Sequence, residues 1–326
     1  MLLSVIIPIY DVENYIRECF ESILVQKFDD IEFICIDDGS TDTSGSICDE
    51  YAQKDNRLIV KHSENRGVAA ARNLGLSLAK GKYIAWIDPD DYISSNWIEM
   101  ITKAICENDW DILVFDYTIL KDDKRVVREY KNKTGFIDKF EFLSDIVDDQ
   151  IIQSQLWQKV FKRELFEGIV FPETAKCMED YAVMHKIIEK ASNIFYLNEI
   201  LYFYRVRNDG LVMEVDLEKS YNCYLIAKER YKYLKVKYKN ISRIGFLCQA
   251  LGFCIQFDKI KNENKNVVFK ERYKLLSEEI AKNINYLLSM KINILLKVKF
   301  VFLYLGILKI ALDWYGFIRR LKNAEI

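Results

Sequence analysis

The sequence predicts an α/β protein with a mainly parallel central sheet, followed by an α-helical C-terminal domain. Over about the first 120 residues, short apolar runs alternate with segments of helical spacing, which is typical of parallel strands joined by helices. From about residue 216 onward, long helical patterns follow one another without strands between them. We therefore predict a first domain over residues 1–215 and a basic helical domain over residues 216–326.

The strands are predicted from short apolar runs, because a strand buried on both faces has no polar side to alternate with. In chain order they cover residues 3–9, 31–37, 58–62, 82–87, 112–118, 194–196 and 200–205. The helices are predicted where apolar residues recur on one face of a 3.6-residue repeat. They cover residues 13–27, 43–54, 68–80, 95–108, 136–149 and 181–191, and then 216–238, 241–260, 267–287 and 291–322. The charged segment 120–135 predicts a hairpin or a loop.

The composition is that of a folded protein. Half of the 326 residues are apolar and 29% are charged, which excludes disordered and fibrous chains. Eight cysteines occur without a C-x-x-C pair and with only two histidines, so a zinc site is not predicted. Neither a secretory signal nor an apolar run of about 20 residues is visible. We predict a cytoplasmic protein, with peripheral attachment at the inner face of the membrane as an alternative.

Acidic clusters follow two of the predicted strands. Asp38 follows the second strand in the run D-D-G-S-T-D, and Asp88, Asp90 and Asp91 follow the fourth in D-P-D-D. The carboxyl ends of parallel strands meet at one edge of the sheet, where ligands of α/β folds bind. Carboxylates this close repel one another unless a cation neutralises them, so we predict Mg²⁺ or Mn²⁺ bound together with a substrate diphosphate. The alternative is two capped turns without a ligand.

Four motifs in this order and spacing resemble the family 2 inverting glycosyltransferases. They are P-I-Y at residues 8–10, D-D-G-S-T-D at 37–42, N-R-G at 65–67 with A-R-N-x-G at 71–75, and D-P-D-D at 88–91. The resemblance covers about residues 3–210 and implies the GT-A nucleotide-sugar-binding fold. We expect the nucleotide-sugar side over about residues 1–120 and the acceptor side over about residues 121–215.

The resemblance implies roles for residues on the nucleotide side. Tyr10 would lie against the nucleobase, after a turn shaped by Pro8. Asp38 would hydrogen-bond the base, which in such enzymes is usually uracil. Asn65 and Gly67 would line the nucleotide. Plain packing of Tyr10 remains the alternative.

The same resemblance implies roles for the residues around the diphosphate. Arg72 would tie down the acidic loops, with a purely structural ion pair as the alternative. Asp88 would lie near the ribose and the donor sugar. Asp90 would hold the metal, together with Asp88 and with help from Asp91.

Two downstream segments resemble the W-x-K and E-D segments of these enzymes. Trp157 belongs to the first and is expected on the nucleotide-sugar side, and Asp180 of the second is expected to be the catalytic base, with Glu179 as the alternate. A carboxylate within hydrogen-bond reach of the acceptor hydroxyl can take its proton as it attacks. An ordinary helix N-terminus is the alternative. Arg205 and Arg207 are expected to reach the diphosphate.

The C-terminal helices are basic, since residues 221–326 contain 21 Lys and Arg against 8 Asp and Glu, although the whole chain has a net charge of -2. Three alternatives remain open for them: peripheral contact with an anionic membrane, a homo-oligomer contact, or the core of the domain. Nucleic acid is not predicted as a partner because no recognised binding motif accompanies the charge.

Together these features predict a metal-dependent inverting glycosyltransferase. It would move a hexose from a UDP-sugar, with UDP-glucose or UDP-galactose favoured on resemblance, to a hydroxyl of a glycan acceptor. The acceptor would be lipid-linked or protein-linked, in surface polysaccharide or glycoprotein synthesis. The alternative is a catalytically silent scaffold or binding subunit that keeps the fold and acts through its basic helical tail.

Overall fold

The structure is a computed structural model that describes residues 1–121, 124–148, 152–175, 177–207, 216–238, 240–260 and 265–308. The chain divides into two compact units, Met1–Met213 and Glu214–Ile326. The first unit has helices around a single sheet, and the described part of the second is helical. The predicted fold class, an α/β region followed by a helical one, is confirmed.

The first unit contains ten described strands, six α-helices and one 3-10 turn. The strands are β1 (Leu3–Ile9), β2 (Ile31–Asp37), β3 (Leu58–His62), β4 (Tyr83–Trp86), β5 (Tyr92–Ile93), β6 (Ile112–Lys121), β7 (Lys124–Arg128), β8 (Gly135–Ile137), β9 (Lys159–Lys162) and β10 (Ile194–Arg205). The helices are α1 (Ile16–Leu24), α2 (Ser44–Ala52), α3 (Val68–Leu78), α4 (Trp97–Glu107), α5 (Lys139–Asp148) and α6 (Glu179–Lys190), and the 3-10 turn is Arg163–Phe166.

One half of the sheet is parallel, in the order β3-β2-β1-β4. Every residue of β1 and β2 is buried, because helices cover both faces. Pro8 lies inside β1, opposite Ile36 of β2, rather than in the turn that follows. The pairing of β1 with β4 ends at Ile6, so the missing N–H of Pro8 falls beyond that ladder.

The other half of the sheet is mixed, and continues β4-β9-β6-β10-β5. Strand β9, which the sequence did not predict, is antiparallel to both β4 and β6. The two short strands predicted at 194–196 and 200–205 form the single strand β10, whose register is irregular between Leu197 and Tyr202. The predicted charged hairpin pairs β7 with β6, and its residues 122–123 lie outside the described ranges.

Helix α3 packs closely on the parallel half of the sheet. Its inner side carries Ala69, Ala71 and Gly75, which are buried. A methyl group at Gly75 would overlap Cγ2 of Ile6 in β1. Helix α3 can therefore lie this close to the sheet only if residue 75 is glycine. The packing fixes how far the side chains of α3 stand above the sheet.

The second unit contains α7 (Leu217–Lys237), α8 (Ile244–Lys259), α9 (Val267–Lys282), α10 (Ile284–Ser289) and α11 (Ile294–Tyr304). The helix predicted at 267–287 is interrupted at Asn283, which ends α9 and precedes α10. The helix predicted at 291–322 is described only as far as residue 308, and its remainder, like residues 323–326, lies outside the described ranges. Within these ranges, no helix is long and apolar enough to cross a membrane.

Candidate active site

Asp38 holds the loop that precedes α3. Its carboxylate is buried at the end of β2, where Oδ1 accepts a hydrogen bond from the Arg66 N–H (3.0 Å) and Oδ2 accepts one from the Gly67 N–H (2.7 Å). Gly67 has φ of 90°, a backbone conformation that other residues rarely adopt. The acidic turn after β2 therefore fixes the loop 65–67 predicted to line the nucleotide.

Tyr10 presents an exposed ring beside this loop. It follows β1, is 44% exposed, and has the side chain of Asn65 as a hydrogen-bond partner. The negative charge of Asp11 is the largest of the influences that raise the pKa of the Tyr10 phenol. Asp11 has φ of 46° and accepts a hydrogen bond from the Thr41 N–H (2.7 Å), which fixes the turn after β1 to the turn after β2. An open aromatic face next to Asp38 suits stacking on a base.

The D-P-D-D turn after β4 is organised by Tyr202 of β10. The Asp88 N–H donates to Tyr202 Oη (3.0 Å), and Tyr202 donates to Asp91 Oδ2 (2.8 Å). Asp91 Oδ1 accepts a hydrogen bond from the Arg205 N–H (2.7 Å). Asp91 is only 1% exposed, and burial raises its pKa well above the usual value. Both oxygens of Asp91 thus hold the turn in shape, and its predicted help in holding a metal stays a prediction.

Arg205 and Arg207 lie around Asp90. Arg207 Nη1 is 3.3 Å from Asp90 Oδ2, and Arg205 Nε donates to the Asp90 carbonyl oxygen (3.1 Å). Arg205 also forms an ion pair with Glu18 (2.5 Å), and both guanidinium groups lie over the ring of Tyr15. The arginines predicted to reach a diphosphate therefore stand at the acidic turn.

Arg72 connects the acidic turn to the E-D segment. Its buried guanidinium forms an ion pair with Glu179 and lies 3.5 Å from Asp88 Oδ1. Burial lowers the pKa of the guanidinium, but Glu179, Asp88 and Asp180, in that order of influence, together raise it above its usual value. Arg72 Nε has no hydrogen-bond partner within the described part of the chain, which leaves one buried donor to satisfy.

The E-D segment opens α6 after a left-handed residue. Met178 has φ of 60°, an uncommon conformation for a non-glycine side chain, and it directly precedes Glu179 and Asp180. Glu179 is buried against Arg72, whereas Asp180 is half-buried and accepts a hydrogen bond from the Tyr181 N–H (2.6 Å). Burial raises the pKa of Asp180 above its usual value, Glu179 adds to this, and Arg72 opposes it.

The chain that leads to Met178 is held by α3. Asn73 Nδ2 donates to the Phe171 carbonyl oxygen (2.9 Å), and Asn73 Oδ1 accepts from the Phe171 N–H (2.9 Å). Glu173 forms an ion pair with Arg66 (2.5 Å), whose own N–H is bound to Asp38. Asn73 of the A-R-N-x-G motif therefore fixes the segment before the E-D pair.

Trp157 lies in the interior. It is buried and stacks on Tyr202 with ring centroids 4.5 Å apart, and on Tyr204 at 5.5 Å. Its direct neighbour is therefore the tyrosine that holds the D-P-D-D turn. Lys159, two residues later, is fully buried and donates to the carbonyl oxygens of Gln153 and Gln155.

The sequence analysis missed Tyr202, Asn73 and Met178 as determinants of the site. Tyr202 had a signal, since it stands in the aromatic run before the two arginines. Asn73 had a partial signal in A-R-N-x-G, but its partner Phe171 is 98 residues away. Met178 gives no sequence signal for a left-handed conformation, because its side chain is not one of those that favour it.

The carboxylate oxygens at the D-P-D-D turn fit a divalent cation that takes most of its ligands from substrate and water. Within the described ranges, no three or more His, Cys, Asp or Glu side chains are grouped so that they could hold a metal ion. Mg²⁺ is commonly held by one or two carboxylates, with substrate phosphates and waters completing the octahedron. Asp88 and Asp90 are both partly exposed and can supply those two carboxylates. Burial raises the pKa of Asp88 to about 7, Arg72 opposes this, and Asp90 adds to it, so an added positive charge would be favourable there.

Comparison with known proteins identifies the family of the chain. A family model described as Glycosyl transferase family 2 matches residues 4–170. Glycosyltransferase GlyG of Streptococcus pneumoniae serotype 4 is 36% identical over 232 residues, which cover 68% of this chain and 75% of that protein. The poly(ribitol-phosphate) beta-glucosyltransferase of Bacillus spizizenii is 29% identical over 269 residues, which cover 80% of this chain and 41% of that protein.

Solved structures share this fold. S. aureus TarS 1-349 in complex with UDP-GlcNAc has a TM-score of 0.64 and 22% sequence identity, and the match covers 87% of this chain and 81% of that one. At this identity the similarity concerns the fold.

Proposed function

The chain belongs to glycosyl transferase family 2 and is a transferase, and from this premise we propose that it moves a hexose from a UDP-sugar to a hydroxyl of a glycan acceptor with inversion. The main support is that Arg72 pairs with Glu179 and lies 3.5 Å from Asp88, while Asp180 directly follows Glu179 in the first turn of α6. This arrangement brings a candidate base and a candidate site for a diphosphate together around one guanidinium group. We propose the donor side over residues 1–120, the acceptor side over 121–215, and 216–326 as a separate helical domain.

Asp180 acts as the general base in this proposal. The acceptor hydroxyl oxygen attacks the anomeric carbon, its proton passes to the Asp180 carboxylate, and UDP leaves from the opposite face. Glu179 is the weaker candidate because its carboxylate is buried against Arg72, whereas Asp180 is half-buried. A carboxylate with a raised pKa is also a stronger proton acceptor, and the pKa of Asp180 is raised. Glu179 instead positions Arg72.

The nucleotide binds along the turns after β1 and β2. Tyr10 stacks on the base, Asp38 and Asn65 supply polar contacts, and Gly67 allows the backbone to approach the ligand. The unpaired Nε of Arg72 can donate to the diphosphate, and Arg205 and Arg207 are its further proposed partners because their contacts with Asp90 put both guanidinium groups at the acidic turn. Pro8 and Trp157 support these positions from the interior.

Asp88 and Asp90 would be the principal ligands of Mn²⁺ or Mg²⁺. A divalent cation bound there would stabilise the charge that develops on the leaving diphosphate. Asp91 and Tyr202 keep the turn in shape, since both oxygens of Asp91 accept hydrogen bonds from the protein.

The comparisons support the finer assignment of donor and acceptor. The TarS structure was solved with UDP-GlcNAc, which favours a UDP-linked donor. A poly(ribitol-phosphate) beta-glucosyltransferase among the relatives favours a glucosyl donor and a surface-polymer acceptor. We keep UDP-glucose or UDP-galactose, the donors that the sequence analysis favoured, as the proposal; the beta-glucosyltransferase relative favours glucose of the two. The proposed acceptor is a glycan of surface polysaccharide or glycoprotein synthesis.

A donor panel with Mn²⁺ or Mg²⁺ tests the proposal. We expect UDP-glucose or UDP-galactose to be hydrolysed or transferred faster than the N-acetyl analogues or GDP- and dTDP-sugars. Asp180→Asn is expected to reduce transfer by about 10²–10⁴-fold while calorimetry still detects UDP binding. Glu189→Gln, near the other end of α6, is the matched control and should retain activity. Unchanged turnover of Asp180→Asn would contradict the base, and no heat from any nucleotide would contradict the donor site.

A further inference from the structure

The ring of Tyr15 lies against two guanidinium groups. The central carbon of the Arg205 guanidinium is 5.3 Å from the centroid of this ring, and that of Arg207 is 4.6 Å from it. Both distances are within the range of a cation–π interaction, which extends to about 6 Å. Arg205 ends β10 and Arg207 follows it, whereas Tyr15 directly precedes α1. The ring therefore connects the carboxyl end of β10 to the start of α1.

The first turn of α1 fixes the position of Tyr15. Its N–H donates to the Val12 carbonyl oxygen (2.9 Å), and its own carbonyl oxygen accepts from the Glu18 N–H (3.0 Å). The next residue, Ile16, is fully buried. Glu18 lies three residues further on the same face of the helix and forms the ion pair with Arg205. Helix α1 therefore holds Arg205 through both a ring and a carboxylate.

The two arginines carry like charges and are partly exposed at the acidic turn. Arg205 is 27% exposed and Arg207 is 16% exposed. Because both lie within 5.3 Å of the same ring centroid, their charges repel one another, and Glu18 and Asp90 offset this repulsion. A ring face stabilises a guanidinium without using any of its N–H donors, which are the groups that bind phosphate oxygens. An aromatic ring is thus suited to hold cations that bind a phosphate.

We propose that Tyr15 is a positioning residue for the donor diphosphate, because its ring holds Arg205 and Arg207 together at Asp90, where both can bind phosphate oxygens. The inference rests on the proposed donor site. It adds that the affinity for the diphosphate, but not for the base, depends on an aromatic residue that acts only through the two arginines. Tyr10, which follows β1, is the residue proposed for the base.

Calorimetry with UDP at a fixed Mg²⁺ concentration tests this inference, and uridine is measured by its competition with UDP. Tyr15→Leu and Tyr15→Met both remove the ring. We expect them to raise the dissociation constant of UDP by roughly 5–20-fold and that of uridine by less than about twofold. Tyr15→Phe keeps a ring and should bind UDP within about threefold of the unmodified chain.

A second background and a matched control separate this role from a general loss of structure. In the Arg207→Gln chain, Tyr15→Leu should weaken UDP binding by a smaller factor than in the unmodified chain, since one of its two cations is already gone. Tyr233→Leu removes an exposed ring that lies against Lys237 in the second unit, and should bind UDP like the unmodified chain. Circular dichroism and the thermal midpoint confirm that each variant folds.

Three results would overturn the positioning role of Tyr15 and leave the donor site standing. They are unchanged UDP affinity in Tyr15→Leu and Tyr15→Met, equal losses of affinity for UDP and uridine, and the same loss from Tyr15→Leu with and without Arg207. If the unmodified chain bound neither UDP nor uridine, the proposed donor site would be wrong, and the inference would be wrong with it.

Discussion

The two sides of the candidate active site hold their carboxylates by different means. On the nucleotide side, Asp38 is neutralised by two backbone N–H groups of the loop at 66–67. On the side of the proposed catalytic base, Glu179 is neutralised by the guanidinium of Arg72, which lies 107 residues earlier in the chain. Backbone donors belong to the loop itself, whereas a guanidinium can be lost by one substitution. A single substitution on the side of the catalytic base should therefore lower the free energy of unfolding more than one on the nucleotide side.

Arg72→Met tests this difference with the largest expected effect. We expect the free energy of unfolding, measured by urea denaturation, to fall by about 3–5 kcal/mol, because Glu179 would remain buried without a cation. The double variant Arg72→Met/Glu179→Leu should recover much of the loss. Lys54→Met removes the exposed pair with Glu50 and is the control. A loss no greater than that of the control would show that the buried pair is dispensable.

Asp38→Ala probes the nucleotide side and should lower the free energy of unfolding by less than Arg72→Met. Two backbone N–H groups would lose a charged acceptor, so we expect a loss of about 2–3 kcal/mol in unfolding free energy and weaker UDP binding by calorimetry. Asp38→Asn keeps one acceptor oxygen and should be intermediate. Asp109→Ala, at an exposed carboxylate, serves as the control. If Asp38→Ala cost more than Arg72→Met, the comparison between the two sides would be reversed.

Asn73 connects the two sides, and its removal should separate binding from turnover. We expect Asn73→Ala to lower kcat by about 10–100-fold, because the segment before Glu179 loses its anchor at Phe171. The dissociation constant of UDP should stay close to that of the unmodified chain. Ser77→Ala on the same helix is the matched control. Equal losses in UDP affinity and kcat would indicate a general loss of structure.

His62 gives the smallest expected effect, as a dependence of stability on pH. Its pKa is raised chiefly by the hydrogen bond to Asp37 and also by that to Asp49. The stabilisation is therefore complete below the unfolded pKa of about 6.5 and is lost as pH rises through the folded value. The side chain is 48% exposed, so screening should keep the effect below about 1 kcal/mol.

The measurement for His62 is the thermal midpoint of the unmodified chain and of His62→Gln across the neutral range. The difference between the two should be largest at acidic pH and should shrink as pH rises. A difference that grows toward alkaline pH would contradict the assigned sign.

The sequence was most informative where contacts are local. Strands β1, β2 and β3 agree with their predicted ranges residue for residue, because each contains three or more consecutive apolar residues. Strand β9 was missed, since its four residues include Lys159 and Lys162 and form no apolar run. The irregular register of β10 was not visible either, because Asn198 and Glu199 interrupt its apolar pattern and indicate two strands.

In the candidate active site, too, only the local features could be predicted from the sequence. The acidic clusters could be located from the motifs, because each lies within a few residues of a strand end. The direction of each carboxylate could not, since it depends on distant partners. Asp91 points inward because Tyr202, 111 residues further along, donates to it. Asp88 stays near the surface, and no feature of D-P-D-D by itself distinguishes the two.

The absence of a side chain at Gly75 has a consequence beyond the packing of one helix. Arg72 and Asn73 project from the preceding turn of α3, toward Glu179 and Phe171 respectively. Any group added at position 75 would act as a spacer against Ile6 and lift both side chains together. Glycine at position 75 thus sets the distance of two separate contacts, Arg72 with Glu179 and Asn73 with Phe171. A larger residue there would disturb the neutralisation of Glu179 and the position of the loop at Phe171 together.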